Sequence, residues 1–214
     1  MKINLEIIES AYVYAPKEIE DLNTKALVPK MIIRRRLTRA AKIAIYLENK
    51  VSLSNSRIIY GSSFGELGVT ANILHAINAN EAISPTHFQN SVYNTAVSYL
   101  SMLNENENEI MTISSGDKTS LNVLKAGAIK ALDGDILWLL ATETLNIDRI
   151  EEVNSCIDFL ECGVALKVKL SDKKKTMDLS NIQNDKKMPL SVFHMLHIAQ
   201  NIHHDKLNII EVTV

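Results

Sequence analysis

The sequence predicts an α/β protein built on a mixed β-sheet with helices on both faces. Three observations predict it. Short apolar runs alternate along the chain with stretches of helical spacing. One run, Ile136 to Ala141, is apolar without interruption, as a strand is when helices cover both of its faces. And 214 residues, 46% hydrophobic and 22% charged, are globular proportions at a length that suits one domain over 1–214.

The elements follow in order. Ile3, Leu5 and Ile7 alternate with Asn4 and Glu6, which reads as a first strand ended by the polar stretch after Pro16. Pro29 opens a short helical turn. Thr38 to Lys50 has Ala40, Ala41, Ala44, Ile45 and Leu47 at helical spacing, with Thr38 placed to cap. Ser52 to Asn55 is a turn. Arg57 to Ser63 is a short buried strand running into a glycine-bearing loop. Val69 to Ala79 is a helix with Ile73, Ala76 and Ile77 on one side. Ser84-Pro85 starts another segment, and Asn90 to Leu103 is a further helix. After the acidic connection Glu105 to Glu109 comes a strand to Ile113. Thr119 to Leu132 is an apolar helix stopped by Asp133-Gly134. Cys162 to Leu170 is a strand with Val164, Leu166, Val168 and Leu170 on one face. Asp172 to Lys187 is an exposed lysine-rich loop, Ser191 to Asn201 a helix, and Asn208 to Val214 the final strand.

Composition narrows the function. Twenty-three basic against 25 acidic residues give a net charge of -2, which argues against a nucleic-acid binder. Cys156 and Cys162 are too few for a disulfide scaffold and too widely spaced for a zinc knuckle, so they read as reduced, buried thiols. The start of the chain alternates instead of running apolar, unlike a signal peptide, and no run is long enough to span a bilayer. The expectation is a cytoplasmic protein with no membrane span and no cofactor.

Three clusters carry possible chemistry. Arg34, Arg35 and Arg36, with Arg39 beyond, offer guanidinium forks for a phosphate or an acidic partner. Three consecutive helical side chains do not all face one ligand, so the competing reading is a solvated helix entry. His194 and His197 stand three apart on one helix, with His203 and His204 beyond. The spacing suits a metal, but no carboxylate lies between Ser191 and His204, and the sequence assigns no metal site. Ser62-Ser63-x-Gly65 and Ser114-Ser115-Gly116-Asp117 are both strand-to-helix turns. Neither matches a nucleophile elbow, and in the second Asp117 and Thr119 are placed to cap the next helix.

Ser84-Pro85-Thr86-His87-Phe88-Gln89-Asn90-Ser91-Val92-Tyr93-Asn94 resembles a segment of the β-ketoacyl-synthase-like N-terminal domain family of aryl polyene-type gene clusters. The resemblance extends to Arg34–Arg36, to Ile58–Gly65 and to the strand-turn-helix Met111–Leu132, and weakens after about Asn146. Tyr93 stands where the family pattern has histidine. The resemblance implies a thiolase-like half of a condensing enzyme, without the second half that carries the ketosynthase histidines. A working ketosynthase places a cysteine at the turn before the helix beginning at Thr119; here Ser114, Ser115, Gly116 and Asp117 fill it, with Asp117 close to the nucleophile position. A carboxylate does not carry an acyl group as a thioester does.

The resemblance therefore implies no catalytic residue in this chain. It implies a non-catalytic subunit similar to a chain-length factor, paired with a full ketosynthase and touching the acyl carrier protein indirectly. By the same resemblance, Glu109, Met111 and Ile113 form an interface strand, and His87, Phe88, Val92, Tyr93 and Ala96 face the partner's acyl pocket. Against this stands the reading of Phe88, Val92 and Ala96 as one stripe of a buried helix. The alternatives in function are a stand-alone acyl or carrier-protein binding module, and an unrelated enzyme using the Ser114–Asp117 turn.

Overall fold

The computed structural model describes residues 1–53, 55–148, 150, 157–173, 176–177, 188–205 and 207–214. Six strands, β1 (Lys2–Ala15), β2 (Arg57–Gly61), β3 (Ile110–Ile113), β4 (Leu137–Thr144), β5 (Glu161–Leu170) and β6 (Ile209–Thr213), form one sheet in the order β3-β2-β4-β5-β1-β6. β2 runs parallel to β3 and β4, while the pairs β4–β5, β5–β1 and β1–β6 are antiparallel. The sheet is mixed, as the sequence predicts.

The helices are α1 (Thr24–Leu27), α2 (Met31–Arg34), α3 (Arg39–Lys50), α4 (Leu67–Asn78), α5 (Pro85–Asn90), α6 (Thr95–Leu103), α7 (Thr119–Ala131) and α8 (Leu190–Asp205). They make three layers. Val123, Leu124 and Ala128 of α7 and Met195, Leu196 and Ala199 of α8 pack on Leu137, Leu139 and Ala141 of β4. Ile43 and Leu47 of α3 and Val97 and Leu100 of α6 pack on Trp138 and Leu140 from the other side. Alternate residues of β4 thus enter opposite cores, which is why its run carries no polar break.

Thr38 caps α3, its Oγ1 accepting from the Ala41 N–H at 3.2 Å. α3 lies close to the sheet because β5 offers Gly163 beneath it. A Cβ there would stand 2.5 Å from Ile43 Cγ2, so the helix seats only on glycine.

The structure corrects several boundaries. β1 is twice as long as the alternation of Ile3, Leu5 and Ile7 reveals, because its register shifts between Ile7 and Glu9. Ile3, Leu5 and Ile7 face the α7–α8 core; past the shift, Tyr12 keeps to that side while Ala11 and Val13 turn to the other. The helix expected from Asn90 begins at Thr95, and Ser91–Asn94 is a turn. Thr95 Oγ1 donates to the carbonyls of Val92 at 2.8 Å and Asn90 at 3.1 Å and closes that turn. Phe88, Val92 and Ala96 therefore do not share one helical stripe. Leu170 leaves the stripe of Val164, Leu166 and Val168 and is exposed. Most of the segment 172–187 lies outside the described residues. Within it Met177 is buried and bridges to Ile210, so it is not exposed throughout. Cys162 is buried, and Cys156 lies outside the described residues.

α4 differs from every other helix of more than eight residues: none of its side chains is buried. Leu74 and Ile77 are more than half exposed.

Candidate functional site

Because β2, β3 and β4 are parallel, their C-terminal ends share one edge of the sheet. The turns that leave β2 and β3 meet there, with the Ser114 hydroxyl 3.4 Å from the Ser63 carbonyl. The second turn is Ser114 and Ser115 followed by a 3₁₀ turn over Gly116–Lys118, all exposed, directly before α7. Gly116 has φ of 56°, in the left-handed region that glycine tolerates. Thr119 holds the turn: its Oγ1 accepts from the Ser115 N–H at 3.0 Å and donates to the Gly116 carbonyl at 2.7 Å. The Asp117 side chain, expected to share that capping, makes no hydrogen bond among the described residues. The strand-turn-helix is thus present with its mouth open to solvent, and serine, glycine, aspartate and lysine line it.

Behind the turn, Ser120 Oγ lies 3.3 Å from His194 Nδ1 on α8. This is not an activated hydroxyl, since Ser120 is fully buried and also contacts the Leu190 carbonyl. Burial, and then the neighbouring His197, push the His194 pKa down. His197 Nε2 pairs with the Asn201 side chain at 2.7 Å. The two histidines each use a ring nitrogen within the protein, and the side chains of His203 and His204 lie outside the described residues. No metal-holding cluster occurs among the described residues.

The group that organises this edge escaped the sequence reading. Glu143, near the end of β4, is fully buried. Its carboxylate accepts from the Ser63 N–H at 2.6 Å, the Ser62 hydroxyl at 3.0 Å and the Phe64 N–H at 3.3 Å. Ser62 Oγ in turn accepts from the Gly65 N–H at 2.8 Å. The whole turn Ser62–Gly65 hangs on one side chain. Burial pushes Glu143 up to about 7, against the opposing pull of these donors. Ser191 on α8, buried and without a well-formed hydrogen bond of its own, lies close enough to favour the charged form. Glu66, next in the chain, is also driven up to about 7 by burial, with the Thr38 hydroxyl donating to it at 2.6 Å. The signal was a glutamate two residues past a buried apolar run, a position with no water to solvate it.

The expected partner-facing residues divide. Phe88 is 71% exposed, Val92 50% and Tyr93 46%. His87 is half-buried. Ala96 is a correction: it is 0% exposed and belongs to the core beneath α6. The Tyr93 ring packs against Gly65, where a Cβ would meet it at 3.1 Å, so the clasp of Glu143 also supports an exposed aromatic.

The expected interface strand is at the sheet edge, where among the described residues β3 has β2 as its one neighbour. Met111 and Ile113 are half-buried. Glu109 lies one residue before β3 and is engaged within the chain, with Lys130 at 2.8 Å and Arg57 at 2.6 Å, which hold its carboxyl below the usual range.

The arginine cluster also divides. Arg34 donates to the carbonyls of Val28 at 2.8 Å and Pro29 at 3.2 Å and so ties down its own loop instead of facing a ligand. Arg39 pairs with the buried Glu161 and with Glu18 at 2.7 Å. Arg35 and Arg36 are exposed.

The three layers and the open strand-to-helix turn define a thiolase-like ketosynthase half. More specifically, the model of the β-ketoacyl synthase N-terminal domain matches residues 10–213, and the chain belongs to that family. No curated protein matches. Among solved structures, the chain is similar to one from a ketosynthase (ApeO) in complex with its chain length factor (ApeC) from Xenorhabdus doucetiae, at 21% identity, 90% coverage of each chain and a TM-score of 0.68. It is also similar to the ishigamide ketosynthase/chain length factor, at 10% identity, covering 80% of this chain and 63% of that one, with a TM-score of 0.63. A β-ketoacyl synthase from Burkholderia phymatum matches at 12% identity over 80% of this chain and 60% of that one, with a TM-score of 0.55. No helix among the described residues is long and apolar enough to cross a membrane.

Proposed function

We propose that this chain is a chain-length-factor-like subunit. It does not condense acyl units itself. It pairs with a full ketosynthase in aryl polyene, polyketide or fatty-acid-type elongation and helps shape the acyl pocket. The observation that carries the reading is the turn before α7: a member of the ketosynthase family presents Ser114, Ser115, Gly116 and Asp117 there, and no thiol. The exposed apolar side chains of the segment 64–102 support it, since a lone chain gains nothing by leaving Phe88, Leu74 and Ile77 in water. The edge of β3 is the second surface of the pairing, and strand-to-strand contact there covers its free N–H and C=O groups. Arg35 and Arg36 give a basic face for an acidic carrier protein. The protein acts as one domain over 1–214, in the cytoplasm and without a cofactor.

The test has two arms. The purified chain shows no malonyl-dependent elongation above a boiled control, and co-expression with a ketosynthase yields a co-purifying pair that elongates. Turnover by the chain alone ends the reading. In the pair, Thr112→Pro removes a backbone donor that faces the free edge of β3, since the Glu109 and Ile113 carbonyls accept from β2 and its flank, and abolishes co-purification. Phe88→Ala leaves the pair folded and shifts the length of its products; a pair with wild-type products removes Phe88 from the acyl pocket.

A further inference from the structure

Away from the strand-end site, α2, α5 and α6 enclose a cleft of about 530 Å³, within the range of small-molecule sites. Its floor is built and rigid. Asn90, 7% exposed, donates to the Arg36 carbonyl at 3.2 Å and accepts from the Tyr99 hydroxyl at 3.2 Å, which locks the three helices together. The walls have two characters. Ile32 and Met102 are 73% and 56% exposed at the rim, with Ile33 and Val92 beside them. Thr86, Gln89 and Ser98 supply neutral polar groups. Among the described residues that line the cleft, Arg36, through its guanidinium, is the one charged residue, and none carries a carboxylate. That guanidinium has no ion pair or hydrogen bond among the described residues.

We propose that this cleft binds an amphipathic monocarboxylate. The planar fork of Arg36 matches the two oxygens of a carboxylate and leaves the pair neutral. A phosphate monoester, with a charge of about -1.5 to -2, would remain partly uncompensated, because no second cation lines the cleft. The apolar body lies along Ile32, Ile33, Val92 and Met102 and covers side chains that now stand in water. Phe88 and Tyr93 do not line the cleft, but Val92 and Arg36 do, so it adjoins the proposed pairing surface and the inference rests in part on that reading.

The experiment titrates the full chain, with whatever subunit co-purifies, with octanoate, octyl phosphate and octanol. Octanoate binds saturably at one site, and the other two bind at least about tenfold more weakly. Arg36→Gln lowers octanoate affinity by about tenfold or more, and Ser98→Trp, at an exposed position on the wall, abolishes binding. Neither variant changes the melting temperature, since both positions are exposed. Absence of octanoate binding overturns the proposal. So does octanol or octyl phosphate binding as well as octanoate, or an Arg36→Gln affinity within about twofold of the original.

Discussion

α7 and α4 are helices of 13 and 12 residues, each leaving the same edge of the same sheet, and they meet opposite fates. α7 buries seven residues, Val123, Leu124 and Ala128 among them, and Gly127 brings it so near the sheet that a Cβ would stand 2.8 Å from Leu139. α4 is Leu-Gly-Val-Thr-Ala-Asn-Ile-Leu-His-Ala-Ile-Asn, more apolar than α7, and buries none. Gly68 at its start has nothing within 4 Å of a would-be Cβ. An apolar face in a sequence says that the face wants cover. It does not say that the same chain provides it.

The contrast can be broken most sharply from below α7. Leu139→Ala empties the sheet under that helix, and the expected loss is about 3–5 kcal/mol, read as the midpoint of a denaturant melt. A loss of about 1 kcal/mol or less would mean that α7 is held by its flanks and not by the sheet.

The next effect lies at the junction with α4. Glu66 and Glu143 both hold their protons to about pH 7 in the folded chain, above the ordinary 4.5. A carboxyl whose pKa rises on folding loses stability as pH climbs from the unfolded value to the folded one, because the unfolded chain releases the proton first. The chain is therefore expected to weaken between about pH 4.5 and 7 through these two groups. Glu66→Gln keeps an acceptor for Thr38 and removes the buried charge. It should flatten part of that slope and add on the order of 1–3 kcal/mol at pH 8. An unchanged slope in thermal melts across that window would place Glu66 in contact with water. Glu143→Gln is expected to do the reverse at every pH, since Ser63 and Phe64 donate to different oxygens of Glu143 and the amide nitrogen would face one of those N–H groups in either orientation.

The smallest effect is the most informative. Leu74→Ser, on the exposed face of α4, should change the stability of the lone chain by no more than about 0.5 kcal/mol. In the co-purified pair, the same change is expected to weaken association measurably. A large destabilisation of the lone chain would show that α4 rests on its own core after all.

The sequence told most where one residue does one job. Thr38 as a cap, Gly134 as a stop and the double-sided strand around Trp138 were legible for that reason. Boundaries failed where a local irregularity reset the phase. The shift after Ile7 hid half of β1, and the turn closed by Thr95 broke a helix that Asn90 and Leu103 bracket convincingly. The strand-end turns could be located from Ser62-Ser63-x-Gly65 and Ser114-Ser115-Gly116. Glu143 could not, because what matters about it is the donors of a segment 79 to 81 residues earlier. In sequence the arginine cluster is either a ligand-facing patch or a solvated helix entry, and the structure divides it because neighbouring helical side chains point apart. Arg34 and Arg39 turned inward to carbonyls and to Glu161, and Arg35 and Arg36 turned outward.

Leu5 of β1 pairs with Leu170 on one side and with Ile210 on the other, so a strand made early is flanked by two made later. During synthesis Ile3, Leu5 and Ile7 emerge with no neighbour and wait for β5 and then β6. Closing loops of that length precedes any reward from contact, and such topologies fold slowly. While it waits, the nascent chain presents an unpaired apolar strand to any other strand in reach. The rate at which this protein becomes safe from aggregation is thus set by its C-terminal third, through the time that third takes to arrive.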